Sequence, residues 1–236
     1  MQAIIMAGGK GNRLRPLTDT VPKPMVPIID KPVLEYTIRH LIRYGIKDMI
    51  ITVGYKSDMI IDTFKKGDSF GANISYCIET EPLGTAGGVK NAGRNLDEDI
   101  LIVSGDAVTN IDLFEMYTFH KKKNAIFTLA CKELEDVKGM GVIKIDNSSK
   151  ITEFMEKPEQ TTEKLVNTGI YIMSPTVLKM IPDGFYDFGR DLLPRLTAGL
   201  YAYETKNFWS DIGTLTSYYT TNHFVAENPD MFGISI

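Results

Sequence analysis

The chain has 236 residues, of which 43% are hydrophobic and 24% charged, enough apolar material for one large domain or two at most. Lys and Arg number 26 against 30 Asp and Glu, a net charge of −4, with both signs scattered and no basic block to track a phosphate backbone. That excludes a nucleic-acid partner from the leading readings. No stretch approaches the ~20 apolar residues of a membrane span, and the apolar run after Met1 is too short for a signal peptide. A soluble, cytoplasmic protein with no membrane partner is expected. Cys77 and Cys131 stand far apart with no CxxC spacing, so both read as small core residues.

In chain order, strands are predicted at Gln2 to Ala7, Asp48 to Val53, Asn73 to Ile78 and Asp99 to Ser104, rich in Ile and Val as strands buried in a parallel sheet are. Between the first two, Asp30 as N-cap, Pro32 in the first turn, a stripe of Leu34, Ile38, Leu41 and Ile42, and Gly45 past the end predict a helix. Further helices are predicted at Ser57 through Phe64, from about Thr85, and from about Asp112 to Lys123. The Lys121, Lys122 and Lys123 run suits the dipole at the end of that last helix better than a phosphate patch. After Ala125 the pattern changes. Strands at Ala125 to Cys131, Gly141 to Ile145, Lys150 to Phe154 and Val166 to Met173 have few helices between them, as partly antiparallel strands extending the same sheet would. No linker composition separates the halves, so one domain with two lobes is expected. A closing helix runs from Thr214 to Glu227 and stops near Asn228 and Pro229.

The first strand runs into Gly8, Gly9, Lys10, Gly11, Asn12 and Arg13. Three glycines in four positions leave N–H groups open to a polyphosphate, and arginines beside them can add charge-assisted hydrogen bonds. The spacing GGKG matches neither the GxGxxG of dinucleotide enzymes nor a P-loop. Lys23, between Pro22 and Pro24, sits on a stiff extended mount and is expected to face phosphate. Asp106 and Asp211 each end an apolar run. Either they are two carboxylates for Mg²⁺, which takes few protein ligands, or each caps a helix, and the pattern leaves both readings open. Glu79 to Gly88 reads as a strand end turning into a small-residue helix start, whose glycines would let a flat base lie against backbone. Glu156-Lys157-Pro158 and Val166-Asn167-Thr168-Gly169 offer polar groups suited to a sugar and its phosphate. His40, His120 and His223 show no metal-ligand spacing and read as structural or solvent-facing.

In this order, GGKGNRLRPLT, VPKPMVPI, EPLGTAGG, SGD, EKP, NTGIY and WSDIGT resemble the sugar-1-phosphate nucleotidyltransferase family over nearly the whole chain. Within it the likeness runs to mannose-1-phosphate guanylyltransferases. The resemblance implies a mixed, Rossmann-like α/β sheet flanked by helices, with a nucleotide part at about 1–124 and a sugar part at about 125–236; the β-helix that many relatives carry after it is not expected here. It implies that an NTP and a sugar 1-phosphate are joined with release of pyrophosphate, and that Mg²⁺ is the cofactor. Gly8, Gly9, Gly11, Arg13, Glu79, Pro82, Gly84 and Thr85 would then face the nucleotide. Gly141, Glu156, Lys157, Asn167 and Thr168 would face the sugar phosphate, Asp106 and Asp211 the metal, and Arg13, Lys23 and Asp106 would carry catalysis. Three departures stand out: Asn12 replaces a usual threonine, Asp106 lacks the acidic neighbour many members have, and the β-helix is missing. GTP with mannose 1-phosphate is the expected pair, because the Glu79 carboxylate only accepts and suits guanine. A glucose-1-phosphate uridylyl-, thymidylyl- or cytidylyltransferase is the alternative. A non-catalytic NDP-sugar-binding regulatory subunit is the rival of another class, and homo-oligomers stay open.

Overall fold

The computed structural model describes residues 1–196 and 198–233. The chain forms two compact units, and neither is a continuous stretch. One unit holds 2–81, 103–111 and 207–236; the other holds Met1, 82–102 and 112–206. The packing units are thus interleaved along the chain and differ from the expected division at about 124/125, which was a single cut.

In the first unit, Gln2–Met6 pairs in parallel with Asp48–Val53, and that strand pairs in parallel with Asn73–Ile78. Ala3, Ile4, Ile5, Met49, Ile51 and Val53 are buried, as the continuous apolar runs predict. The helix Val33–Arg43 packs on the short strand Ala107–Thr109, which pairs antiparallel with Trp209–Asp211. Its start differs from expectation. Pro27–Ile28 and Lys31–Pro32 form a tight hairpin that puts Asp30 in the turn, where it pairs with Lys31 at 2.8 Å, and Pro32 takes the N-cap place. The closing helix is Leu215–Glu227, and Thr214 and Ser217 make a reciprocal capping box. A short helix, Pro229–Phe232, follows it. Phe208 stacks on Phe224 at 3.9 Å, and Phe232 meets both rings edge-on, sealing a core with Leu14, Val26, Val108 and Ile212.

In the second unit, Leu165–Met173 pairs antiparallel with Phe127–Glu133, with Gly141–Ile145 and, through Tyr171 to Met173, with Ile100 to Ile102. Ile151–Glu156 pairs antiparallel with Gly141–Ile145. A strand that the periodicity missed, Leu200–Glu204, runs parallel to Phe127–Glu133, and the helix Leu113–Lys122 packs on both. Asp112 caps that helix by accepting from the Glu115 N–H at 2.9 Å. At its far end Lys121 pairs with Asp99, and Lys123 donates to the Ser148 carbonyl. The predicted strand from Ala125 starts only at Phe127, because Ala125 N–H still bonds the His120 carbonyl of the helix end. Parallel pairing of the three long strands in one unit and mostly antiparallel pairing in the other make the fold the mixed α/β type that was expected.

The glycine-rich helix Gly84–Gly93 is shaped by a neighbouring loop of its own unit. Ala86 and Gly87 N–H groups donate to the Tyr186 carbonyl, and Tyr186 N–H donates to that of Leu83. A Cβ on Gly87 would stand 2.4 Å from the Gly184 carbonyl oxygen; one on Gly84, already at φ +70, would stand 2.6 Å from that of Tyr186. These glycines therefore admit backbone, a close approach the sequence assigned to a base. Gly87→Ala in an open helix would add about 1 kcal/mol of stability. Here it should lower the stability measured by urea unfolding by about 1–3 kcal/mol through overpacking, and a variant as stable as the parent would contradict this packing.

Candidate functional site

The strand Gln2–Met6 ends where Ala7 N–H bonds the Thr52 carbonyl, and the chain then enters the glycine loop. Each glycine there has a different reason. A Cβ on Gly8 would meet the Glu79 carboxylate at 3.4 Å, and Gly9 has nothing within 4 Å of that position. Gly11 has φ +67, and its Cβ would fall 2.8 Å from Lys23 Cβ, so no side chain fits. Thr18 holds the turn by donating to the Gly11 carbonyl at 2.9 Å. Asn12–Leu14 makes a single 3₁₀ turn whose anchor is the fully buried Leu14, leaving Arg13 beside the cavity. Arg15 turns away to pair with Asp19.

Lys23 opens a second 3₁₀ turn, Lys23–Met25, between its two prolines. Its backbone is compact at that point, not extended, and the side chain is only 10% exposed. Nζ donates to Asp106 Oδ2 at 2.6 Å and to Asp211 Oδ1 at 2.7 Å. Asp106 follows Ser104, whose hydroxyl donates to Asp106 Oδ1 at 2.5 Å, and Gly105 N–H bonds the Met6 carbonyl. Asp211 ends Trp209–Asp211 and lies in register with Ala107, which places it next to Asp106. Neither aspartate caps a helix; Thr214 does that for the tail. Arg13, Lys23, Asp106, Gly9, Gly11 and Gly213 line a cavity of about 300 Å³ in this unit.

The charges hold one another. Burial disfavours the Lys23 ammonium, but the two carboxylates outweigh it and push its pKa up. Burial also disfavours charge on Asp106; Lys23 and the Ser104 hydroxyl prevail and hold its carboxyl below the usual range. At Asp211 burial and the Asp106 charge prevail over Lys23 and Arg13, pushing its carboxyl up. Among the described residues no three His, Cys, Asp or Glu side chains gather as a metal site, so Asp106 and Asp211 stand as a pair. The histidines are elsewhere: His40 Nε2 bonds the Ile111 carbonyl, His120 Nδ1 bonds Thr128, and His223 is exposed beside Glu227. Cys131 is buried, and burial together with the Glu204 charge pushes its thiol up to about 12; Cys77 is half-buried.

A second cluster lies within the other unit. Glu156 ends Ile151–Glu156 opposite Gly141, and its Oε2 would stand 3.0 Å from a Cβ on Gly141 and 2.3 Å from one on Gly189. Both glycines leave room for that carboxylate. Lys157, at φ +48, pairs with Glu156 Oε1 at 2.8 Å. Asn167 donates to the Tyr171 hydroxyl at 2.9 Å, and Thr168 is buried with its hydroxyl donating to the Ala130 carbonyl at 2.7 Å. Thr85 donates to Asp187 Oδ2 at 2.8 Å and accepts from Phe188 N–H. Asp187 also caps the one-turn π-helix Phe188–Leu192 through Gly189 and Arg190 N–H. Sequence reasoning missed this turn. The one local signal is an Asp two residues before a glycine and ahead of the apolar pair Leu192 and Leu193.

Comparison with known proteins identifies the family. The chain is 36% identical over 220 residues to a mannose-1-phosphate guanyltransferase of Yarrowia lipolytica, covering 90% of this chain and 61% of that one. It is 38% identical over 239 residues to a UTP–glucose-1-phosphate uridylyltransferase of Synechocystis, covering 93% and 62%. The chain thus spans about three fifths of the length of these relatives. HddC of Yersinia pseudotuberculosis, solved in complex with GMP-PN, superposes with a TM-score of 0.82 at 31% identity, over 94% of this chain and 98% of that one. The nucleotidyl transferase family matches residues 2–228, and with the glycine loop, Lys23 and the paired aspartates in its compass the chain belongs to that family.

Proposed function

We propose that the chain joins an NTP to a sugar 1-phosphate and releases pyrophosphate. The observation that carries this reading is the cavity in which an open glycine loop, Arg13 and Lys23 face two aspartates: cationic groups for a polyphosphate next to carboxylates for its metal. Two carboxylates, with no third His, Cys, Asp or Glu gathered beside them among the described residues, fit Mg²⁺, which prefers to keep waters and phosphate oxygens. Asp106 and Asp211 would hold it, and when bound it supplies further neutralisation of phosphate charge.

The chemistry needs no covalent intermediate. An oxygen of the sugar phosphate bonds to the α-phosphorus as the bond to the departing pyrophosphate breaks. The nucleophile is already ionised at neutral pH, so no general base is required, which fits the purely structural bonding of His40 and His120. Two anions must be brought together, so positioning and charge neutralisation are the main sources of acceleration. Arg13 and Lys23 supply neutralisation, and the N–H groups of Gly8, Gly9 and Gly11 bind the phosphates. Pro82, Gly84 and Thr85 are assigned to the nucleotide through their backbone. Glu156 and Asn167 are assigned to sugar hydroxyls, Lys157 to the sugar phosphate, and Gly141 and Thr168 to the walls around them.

For the base and sugar we favour guanine and mannose. Glu79 stands beside Gly8 at the mouth of the loop, and an acceptor-only carboxylate pairs with the adjacent N–H donors of guanine. The guanyltransferase relative and the GMP-PN complex of HddC support this reading. The uridylyltransferase relative supports UTP with glucose 1-phosphate as the second reading.

Steady-state rates for four NTPs against mannose and glucose 1-phosphates, read by pyrophosphate release, should peak at GTP with mannose 1-phosphate. A preference for UTP or dTTP above about tenfold would remove the guanine assignment. Glu79→Gln should lower kcat/KM for GTP by about tenfold or more relative to UTP, and an unchanged ratio would take Glu79 away from the base. Asp106→Ala should cut turnover by about a hundredfold or more while its unfolding transition remains cooperative. Undiminished turnover would take Asp106 out of the catalytic site.

A further inference from the structure

We infer that Lys23 is the resident counter-cation of the aspartate pair, and that it keeps a divalent metal off Asp106 and Asp211 until a polyphosphate draws its ammonium away. The inference rests on the proposed nucleotidyl transfer and deepens it, because it says how that site is kept from loading metal without nucleotide.

The geometry is specific. Nζ reaches both carboxylates at once, at 2.6 Å from Asp106 and 2.7 Å from Asp211, so a cation taken by the pair has to displace it. A dication and an ammonium sharing two carboxylates repel at short range in a site where solvent screens little. The mount decides how Lys23 can yield. Pro22 and Pro24 hold the backbone of the turn, leaving the four-carbon side chain as the moving part. Its stem lies against the glycine loop, where Lys23 Cβ is 2.8 Å from the place of a Cβ on Gly11. A phosphate bound to that loop is therefore within the sweep of the ammonium, and the same side chain that guards the carboxylates can turn to the anion. Arg13 lines the same cavity and cannot stand in for Lys23 on both aspartates, because its guanidinium lies by Gly213 on the Asp211 side. Metal and nucleotide would then bind with mutual reinforcement, each by the same factor.

Mn²⁺ binding followed by electron paramagnetic resonance tests this without any turnover. In the nucleotide-free protein, Lys23→Met should tighten Mn²⁺ binding by about tenfold or more, corresponding to about 1.4 kcal/mol. Unchanged or weaker binding by a folded variant would overturn the inference. Should that variant fail to fold, the parent protein carries the test: with ¹⁵N-labelled lysine, the slowly exchanging Lys23 ammonium signal should persist on adding Mg²⁺ alone and shift when GTP is added. A shift produced by Mg²⁺ alone, at concentrations that leave the other lysines unmoved, would equally overturn it. The proposed activity fails separately, by absence of pyrophosphate release from the parent with every NTP and sugar 1-phosphate, while the Mn²⁺ measurement still reads the role of Lys23.

Discussion

The ammonium of Lys23 ties together three pieces of chain, with one carboxylate partner 83 residues away and the other 188. Removing either carboxylate leaves the buried Lys23 ammonium less compensated, although the partly exposed aspartates themselves keep some water. The surrounding structure is arranged so that no member is left alone. Ser104 saturates the second oxygen of Asp106, the register of Trp209–Asp211 on Ala107–Thr109 sets Asp211 beside it, and Arg13 attracts Asp211 from the loop. A mildly acidic protein can in this way hold cationic groups at one cavity, each matched by a carboxylate, without an overall positive field.

Close approach is the second constraint, and glycine serves it in both units. Gly11 lets the loop lie on the Lys23 stem, Gly84 and Gly87 let the segment at Gly184 to Tyr186 dock on a helix start, and Gly141 and Gly189 make room for the Glu156 carboxylate. In each place the missing Cβ would collide with a particular atom, so these positions are steric requirements more than sources of flexibility. The turn capped by Asp187 joins two of these sites within its unit, holding Thr85 on one side and presenting Gly189 to Glu156 on the other.

Much of this was readable from local pattern. Asp48–Val53, Asn73–Ile78, Gly141–Ile145 and Ser57–Phe64 form over the residues that periodicity and flanking turn residues indicate, because burial on a sheet or helix face leaves a repeating mark. The three-residue strands Ala107–Thr109 and Trp209–Asp211 left no such mark, since their pairing spans about a hundred residues. Leu200–Glu204 alternates too briefly to be recognised, and Asp30 looked like a cap until a hairpin took it into a turn.

The sequence by itself determined the family, through the order of short motifs, and most of the regular elements, through hydrophobic period. It also singled out Lys23, Asp106 and Asp211 as unusual residues in unusual settings. Only the tertiary structure decided that those three bind one another and that the glycines after Glu79 admit a loop. It likewise decided that an unremarked turn at Asp187 braces Thr85 and Glu156. The reason is physical: local pattern records which face of an element is buried, while the partner that covers it is chosen by packing between segments far apart in the chain.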